Sequence, residues 1–289
     1  MQLGIVLTGT GALAAAGVGV LKELCARGID PAAVCGMQTG AWPAALYMAG
    51  KNMEETELAL RQSALMGRRM LRPAAGAAAL LHGRRAALAD AKRLEHLLAA
   101  QTAKSLLCMC PRPGILLCRT ASGGRKVIFS SYAYAQNEHA MLCMQASAGF
   151  AARAAMTLPP FLAPAQWMGS LLLAEHDEGF ACAQLLAMGM HRVLVVRPVL
   201  SPRHEPDALD LTGMAAAGGG EPLPPGRSAV LQVDMPQDAG ALSVERLEEI
   251  AEAGRLAAKR QLDQLLGKMG MSFCRVLPFR PAHRRADAQ

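Results

Sequence analysis

Val34-Cys35-Gly36-Met37-Gln38-Thr39-Gly40-Ala41-Trp42 reads as the end of a short buried strand, a tight turn bracketed by two glycines, and the start of a helix. A turn of this kind holds a nucleophile at the carboxyl edge of the sheet in α/β hydrolytic sites, where the pattern is G-x-S-x-G. Here the glycines stand at Gly36 and Gly40, and the central position is Gln38. The scaffold of a nucleophile elbow is present and its serine is not.

A second glycine-rich turn precedes it. Leu3 to Thr8 is a short apolar run, as expected for a strand buried on both faces of a parallel sheet. Gly9-Thr10-Gly11 follows, then a helix over about Ala14–Arg27, with Gly28 as its C′ residue. The backbone N–H groups of Gly9, Thr10, Gly11 and Ala12, beside a helix N-terminus, suit an anion or oxyanion. The loop is a poor phosphate loop, because G-x-G-x-x-G is incomplete and no Gly-Lys-Ser/Thr follows. Pro31–Gly36 supplies the second strand and Ala41–Ala49 the next helix, so a parallel crossover should open both turns at one sheet edge.

The rest of the 289-residue chain fits one α/β domain spanning 1–289. Residues 51–112 read as a helical, basic, cap-like region, including a helix over Arg84–Leu98. Gly114–Arg119 and Arg125–Ser130 flank Ser122-Gly123-Gly124 and predict a hairpin. His139–Ser147 reads as a helix, Leu171–Ala174 as a strand, Phe180–Met188 as a helix and Arg192–Val196 as a central strand. Residues 201–227, rich in Pro and Gly, read as a long mobile surface loop with fragmentary structure. Ala229–Val233 reads as a strand, Ser243 as the N-cap of a long C-terminal helix, and 280–289 as a frayed basic tail.

Hydrophobic residues make up 52% of the chain and charged residues 18%, which allows a large core and argues against global disorder. The formal charge is +7, with basic residues crowded over Arg61–Arg93 and Arg275–Arg285. These are read as a solvated basic surface, with anionic lipid headgroups as the sharper partner and no nucleic acid expected for want of a motif. Eight scattered cysteines suit reduced thiols and a cytoplasmic protein. Cys108-Met109-Cys110 lacks a second pair, so neither a metal nor a cofactor is expected. Gly4–Leu21 is uncharged, but its glycine punctuation favours strand, turn and helix over a signal or membrane span.

The run from Leu7 to Lys22 resembles the opening of the patatin-like phospholipases, where a glycine-rich oxyanion loop precedes a helix ending in Gly-Val-Leu-Lys, here Gly19-Val20-Leu21-Lys22. The elbow at Gly36–Gly40 falls where that family has Gly-Thr-Ser-Ala-Gly. Ala146-Ser147-Ala148 is similar to its Ala-Ser segment, and Asp177-Glu178-Gly179 to its Asp-Gly-Gly, whose Asp is the second member of a Ser–Asp dyad. The resemblance runs in order along nearly the whole chain. It implies a three-layer α/β/α patatin-like fold with a mostly parallel central sheet and a helical cap. The departures fall on the chemistry: Gln38 for the serine, Thr10 for a glycine, Leu13 for a basic residue and Glu178 for a glycine.

A carboxylate at Asp177 could accept a hydroxyl proton, but a Gln amide has none to give at neutral pH. Loss of a nucleophilic serine costs on the order of a million-fold in kcat in a serine protease. Thr39 is one position off the elbow tip, Ser147 lacks the first elbow glycine and suits a helix cap, and His176 has no part in the family dyad. The expectation is a member of the lipid acyl hydrolase family that has lost ester hydrolysis and binds a lipid or acyl chain, peripheral contact with an anionic membrane included. The alternative is an active hydrolase with a non-standard nucleophile.

Overall fold

The computed structural model describes residues 2–70, 87–134, 140–216 and 220–271. Its frame is a nine-stranded sheet of order β5-β4-β3-β2-β1-β8-β9, with β7 on the outer half of β3 and β6 paired to β7. The strands are β1 (Leu3–Leu7), β2 (Ala33–Gly36), β3 (Gly114–Thr120), β4 (Lys126–Ser130), β5 (Met141–Cys143), β6 (Ala165–Trp167), β7 (Ser170–Ala174), β8 (Arg192–Val199) and β9 (Ser228–Asp234). The pairs β1–β2, β1–β8, β2–β3, β4–β5 and β8–β9 are parallel, and β3–β4, β3–β7 and β6–β7 antiparallel. The sheet is therefore mostly parallel, as expected.

The helices are α1 (Ala15–Ala26), α2 (Ala41–Met48), α3 (Met53–Met70), α4 (Ala91–Gln101), α5 (Ala148–Ala155), α6 (Glu178–Ala187), α7 (Ala208–Ala216) and α8 (Leu247–Lys268). Side chains alternate across the sheet with period two. Ile5, Leu7, Leu194 and Val196 face the layer of α1, α2, α5 and α8, while Val6, Val193, Val195 and Leu117 face α6. Three layers follow, α/β/α. Burial on both faces explains why the central strands are continuous apolar runs rather than alternating ones.

The helix over Ala14–Arg27 is split into a 3-10 turn at Gly11–Ala14 and α1. Asn52 and Glu55 cap the start of α3 reciprocally, through Glu55 N–H to Asn52 Oδ1 at 2.8 Å and Asn52 N–H to Glu55 Oε2 at 3.0 Å. Four sequence expectations change. Of the helix expected over His139–Ser147, His139 lies outside the described residues and 140–147 is not helical: Met141–Cys143 pairs with β4 as β5, because the open edge of β4 supplies partners that local preference does not reveal. The helix then begins after Ser147, whose side chain accepts from Phe150 N–H at 3.2 Å. Of the helix expected over Arg84–Leu98, residues 84–86 lie outside the described residues and the described helix runs over Ala91–Gln101, capped by Asp90 through Arg93 N–H.

Residues 201–227 hold α7, nucleated by an Asp-x-x-Asp capping box. Asp207 Oδ1 accepts from Asp210 N–H at 2.8 Å, and Asp210 Oδ2 from Asp207 N–H at 3.0 Å. Ser243 does not cap the C-terminal helix. Its Oγ accepts from Gly240 N–H, and α8 starts at Leu247 after a 3-10 turn. The whole Arg275–Arg285 zone, the 280–289 tail and Cys274 fall outside the described residues, as does 71–86 of the cap region. No helix among the described residues is long and apolar enough to cross a membrane.

Candidate functional site

The two glycine turns open side by side because β1 and β2 are adjacent and parallel, with Leu7 opposite Gly36. The elbow needs both its glycines. A Cβ on Gly36 would lie 2.6 Å from Ala41 Cα, and one on Gly40 would lie 2.2 Å from the Leu7 carbonyl oxygen. Between them Gln38 has φ of 52°, the left-handed conformation of an elbow tip. For a residue with a Cβ this costs on the order of 1–2 kcal/mol. The strained turn persists although no nucleophile occupies it.

Two of the four backbone donors of the expected oxyanion loop, Gly11 and Ala12, are engaged within the chain. Thr39 N–H donates to the Gly9 carbonyl at 3.0 Å and Ala12 N–H to the Ala241 carbonyl at 2.8 Å. Gly11 N–H donates to Thr39 Oγ1 at 2.9 Å. The Thr39 hydroxyl therefore faces the loop as an acceptor. Gly11 itself has φ of 55°, and a Cβ there would lie 2.1 Å from the Ala241 carbonyl oxygen, so that carbonyl is seated directly on the loop.

The Gln38 amide is also held at both ends. Its Oε1 accepts from Thr10 Oγ1 at 3.1 Å, and its Nε2 meets His176 Nδ1 at 2.5 Å. Asp177, the residue expected opposite position 38, has its carboxylate elsewhere. Oδ1 caps α6 through Phe180 N–H at 2.9 Å and accepts from Glu221 N–H at 3.0 Å, while Oδ2 faces Lys126 Nζ at 3.3 Å. Lys126 also pairs with the buried Glu175 at 2.9 Å, so one cation bridges two carboxylates. The structure thus brings Gln38 to His176 and the oxyanion loop, and gives it no hydrogen bond to Asp177 among the described residues.

Burial, reinforced by the charges of Arg119 and Lys126 and opposed by Glu175, lowers the pKa of His176 from 6.5 to about 4. The imidazole is neutral above that pH. With Nδ1 accepting from Gln38, Nε2 carries the proton, and Nε2 is buried without a partner among the described residues. The unfolded chain binds a proton at this residue near pH 6.5, whereas the folded chain does so only near pH 4. Stability should therefore fall as pH drops through that window, by up to about 3 kcal/mol. Urea midpoints from pH 7 to 4 compared with His176→Gln check this; an unchanged slope in the variant would show that His176 carries no such linkage.

An apolar cavity of about 170 Å³ opens on one side of Gln38, lined among others by Trp42, Leu94, Leu98, Met156 and Phe161. Ser63 of α3 and Leu94, Leu97 and Leu98 of α4 also line it. On the other side lies a cavity of about 610 Å³ with Arg197, Glu178 and Glu221 on its wall. Ser147 is a helix cap. Cys110 Sγ donates to the Leu106 carbonyl, and burial pushes the thiol up to about 11. Among the described residues no group of three or more His, Cys, Asp or Glu is placed to hold a metal.

Sequence reading passed over two parts of the site. His176 stood beside the expected acid without a motif of its own. The Ala241 carbonyl belongs to the main chain and leaves no trace in residue type.

No family model matches the chain, and neither does any curated protein. Solved structures do. VipD from Legionella pneumophila superposes with a TM-score of 0.51 at 12% identity, over 91% of this chain and 67% of that one. The type III effector ExoU gives 0.41 at 14% identity, over 91% of this chain and 53% of its own. ExoU in complex with SpcU, from the type III secretion system of Pseudomonas aeruginosa, gives 0.45 at 14% identity, over 92% and 53%. The likeness to VipD is one of fold. The chain spans about half the length of ExoU.

Proposed function

We propose that this chain is a patatin-like protein that holds an acyl chain in the apolar cavity beside Gln38 and does not hydrolyse esters. The observation that carries this reading is the site's internal bonding: Gly11 and Ala12 of the expected oxyanion loop donate within the chain, as does Thr39 beside Gln38. A hydrolase of this plan needs donors free for the developing oxyanion, each worth about 10²–10³ in kcat. It also needs a carboxylate free to take the nucleophile's proton, and that of Asp177 is engaged with two backbone amides and Lys126. The family resemblance of the sequence and the shared fold of VipD support the lineage. The apolar lining supports the ligand class.

Gln38→Ser tests it. Restoring the hydroxyl alone should leave hydrolysis of p-nitrophenyl esters and phospholipids within about tenfold of the uncatalysed rate, because the Asp177 carboxylate and the N–H groups of Gly11 and Ala12 stay engaged. A gain of two orders of magnitude or more in steady-state turnover would overturn the reading. So would robust turnover by the unsubstituted protein that Asp177→Asn abolishes.

A further inference from the structure

Thr10, Gln38 and His176 line both the apolar cavity and the larger polar one, so they form the wall between them. The two sides differ in kind. The apolar side, about 170 Å³, is closed by Leu94, Leu97, Leu98 and Phe161 and is too small to take two chains side by side. On the polar side, about 610 Å³, the charged residues of the wall are Glu178, Arg197, Asp210 and Glu221. Arg197 is held by Glu178, through Nε to Oε1 at 3.1 Å and a second bond from its terminal nitrogen. Asp210 is held by His204. The carboxylates of the lining outnumber its one arginine, so an anionic group entering here meets no uncompensated cation among the described residues.

On the His176 side chain of that wall, Nε2 is buried and has no partner among the described residues. A buried donor left unmet costs about 1–3 kcal/mol. A neutral imidazole can supply that proton to a carbonyl or hydroxyl oxygen.

We infer that the ligand straddles this wall: a neutral single-chain amphiphile of the monoacylglycerol type, its chain in the apolar cavity, its uncharged hydroxylated head in the polar one, and its ester oxygen at His176. This rests on the acyl-chain reading above and narrows it, because two-chain lipids and anionic or phosphate-bearing heads are disfavoured.

Trp42 lines the apolar cavity, so a chain brominated at its middle should quench it, and Trp167→Phe removes the other indole from the signal. The probes are mid-chain dibrominated monoacylglycerol, free fatty acid, lysophosphatidic acid, lysophosphatidylcholine and diacylglycerol. The monoacylglycerol should half-quench at a concentration at least about tenfold below each of the others, and His176→Phe should remove most of that preference while His176→Gln retains part of it. Equal or tighter binding of an acid, a phosphate-bearing lipid or the diacyl lipid overturns the inference and leaves the acyl-chain reading standing, as does an unchanged preference in His176→Phe. Quenching by no chain at all overturns both.

Discussion

Asp210→Ala should lower the unfolding free energy by about 3–4 kcal/mol, the largest loss expected from any single side chain near the site. The carboxylate is fully buried and serves three donors: Ala241 N–H at 2.9 Å, Asp207 N–H at 3.0 Å and His204 Nε2 at 2.8 Å. Truncation leaves those donors buried without acceptors and breaks the capping box of α7. It also loosens the segment whose Ala241 carbonyl sits on Ala12 N–H. Asp210→Asn keeps one acceptor oxygen and should lose less. Urea unfolding measures both, and a loss under about 1 kcal/mol for the alanine variant would show that the cluster is not a clamp.

Gly19→Ala sets two effects of opposite sign against each other. Alanine gains about 1 kcal/mol over glycine inside a helix. Here α1 crosses α8 so closely that a Cβ on Gly19 would lie 1.7 Å from the Ala251 carbonyl oxygen, and one on Gly254 would lie 2.1 Å from that of Ala16. Backbone cannot yield as a side-chain tip does, so the helices must separate and open the core around Val20 and Ala258. A net loss of about 3 kcal/mol or more is expected, with the Tm lowered by several degrees. Gly267→Ala, on the same helix α8 with nothing within 4 Å, should be neutral or stabilising by up to about 1 kcal/mol. Equal effects at the two positions would exclude the crossing as the cause.

Much of the frame is legible in the residues because it rests on local, repeated signals. Continuous apolar runs mark β1 and β8, and Gly9, Gly36 and Gly40 sit where backbones approach, which no other residue type permits. The hairpin of β3 and β4 follows from Ser122-Gly123-Gly124 between two apolar runs. What escapes is decided at a distance. Met141–Cys143 becomes a strand through the edge of β4. The helix α7 lies in a stretch whose prolines and glycines outweigh one Asp-x-x-Asp spacing. At the site, neighbouring residues 176 and 177 compete for the place opposite Gln38. The outcome turns on the first turn of α6, which draws the Asp177 carboxylate to Phe180 N–H and leaves the imidazole facing the amide.

The elbow is fixed by hydrogens of two glycines lying against the Leu7 carbonyl and the Ala41 backbone, with the tip side chain taking no part in that fit. Residue 38 is in this sense unguarded by folding. A substitution there is judged by what the pocket must do and not by whether the sheet assembles. One consequence is that the side chain at this position can change while the sheet keeps its shape, leaving the surrounding loops to settle onto their own hydrogen bonds.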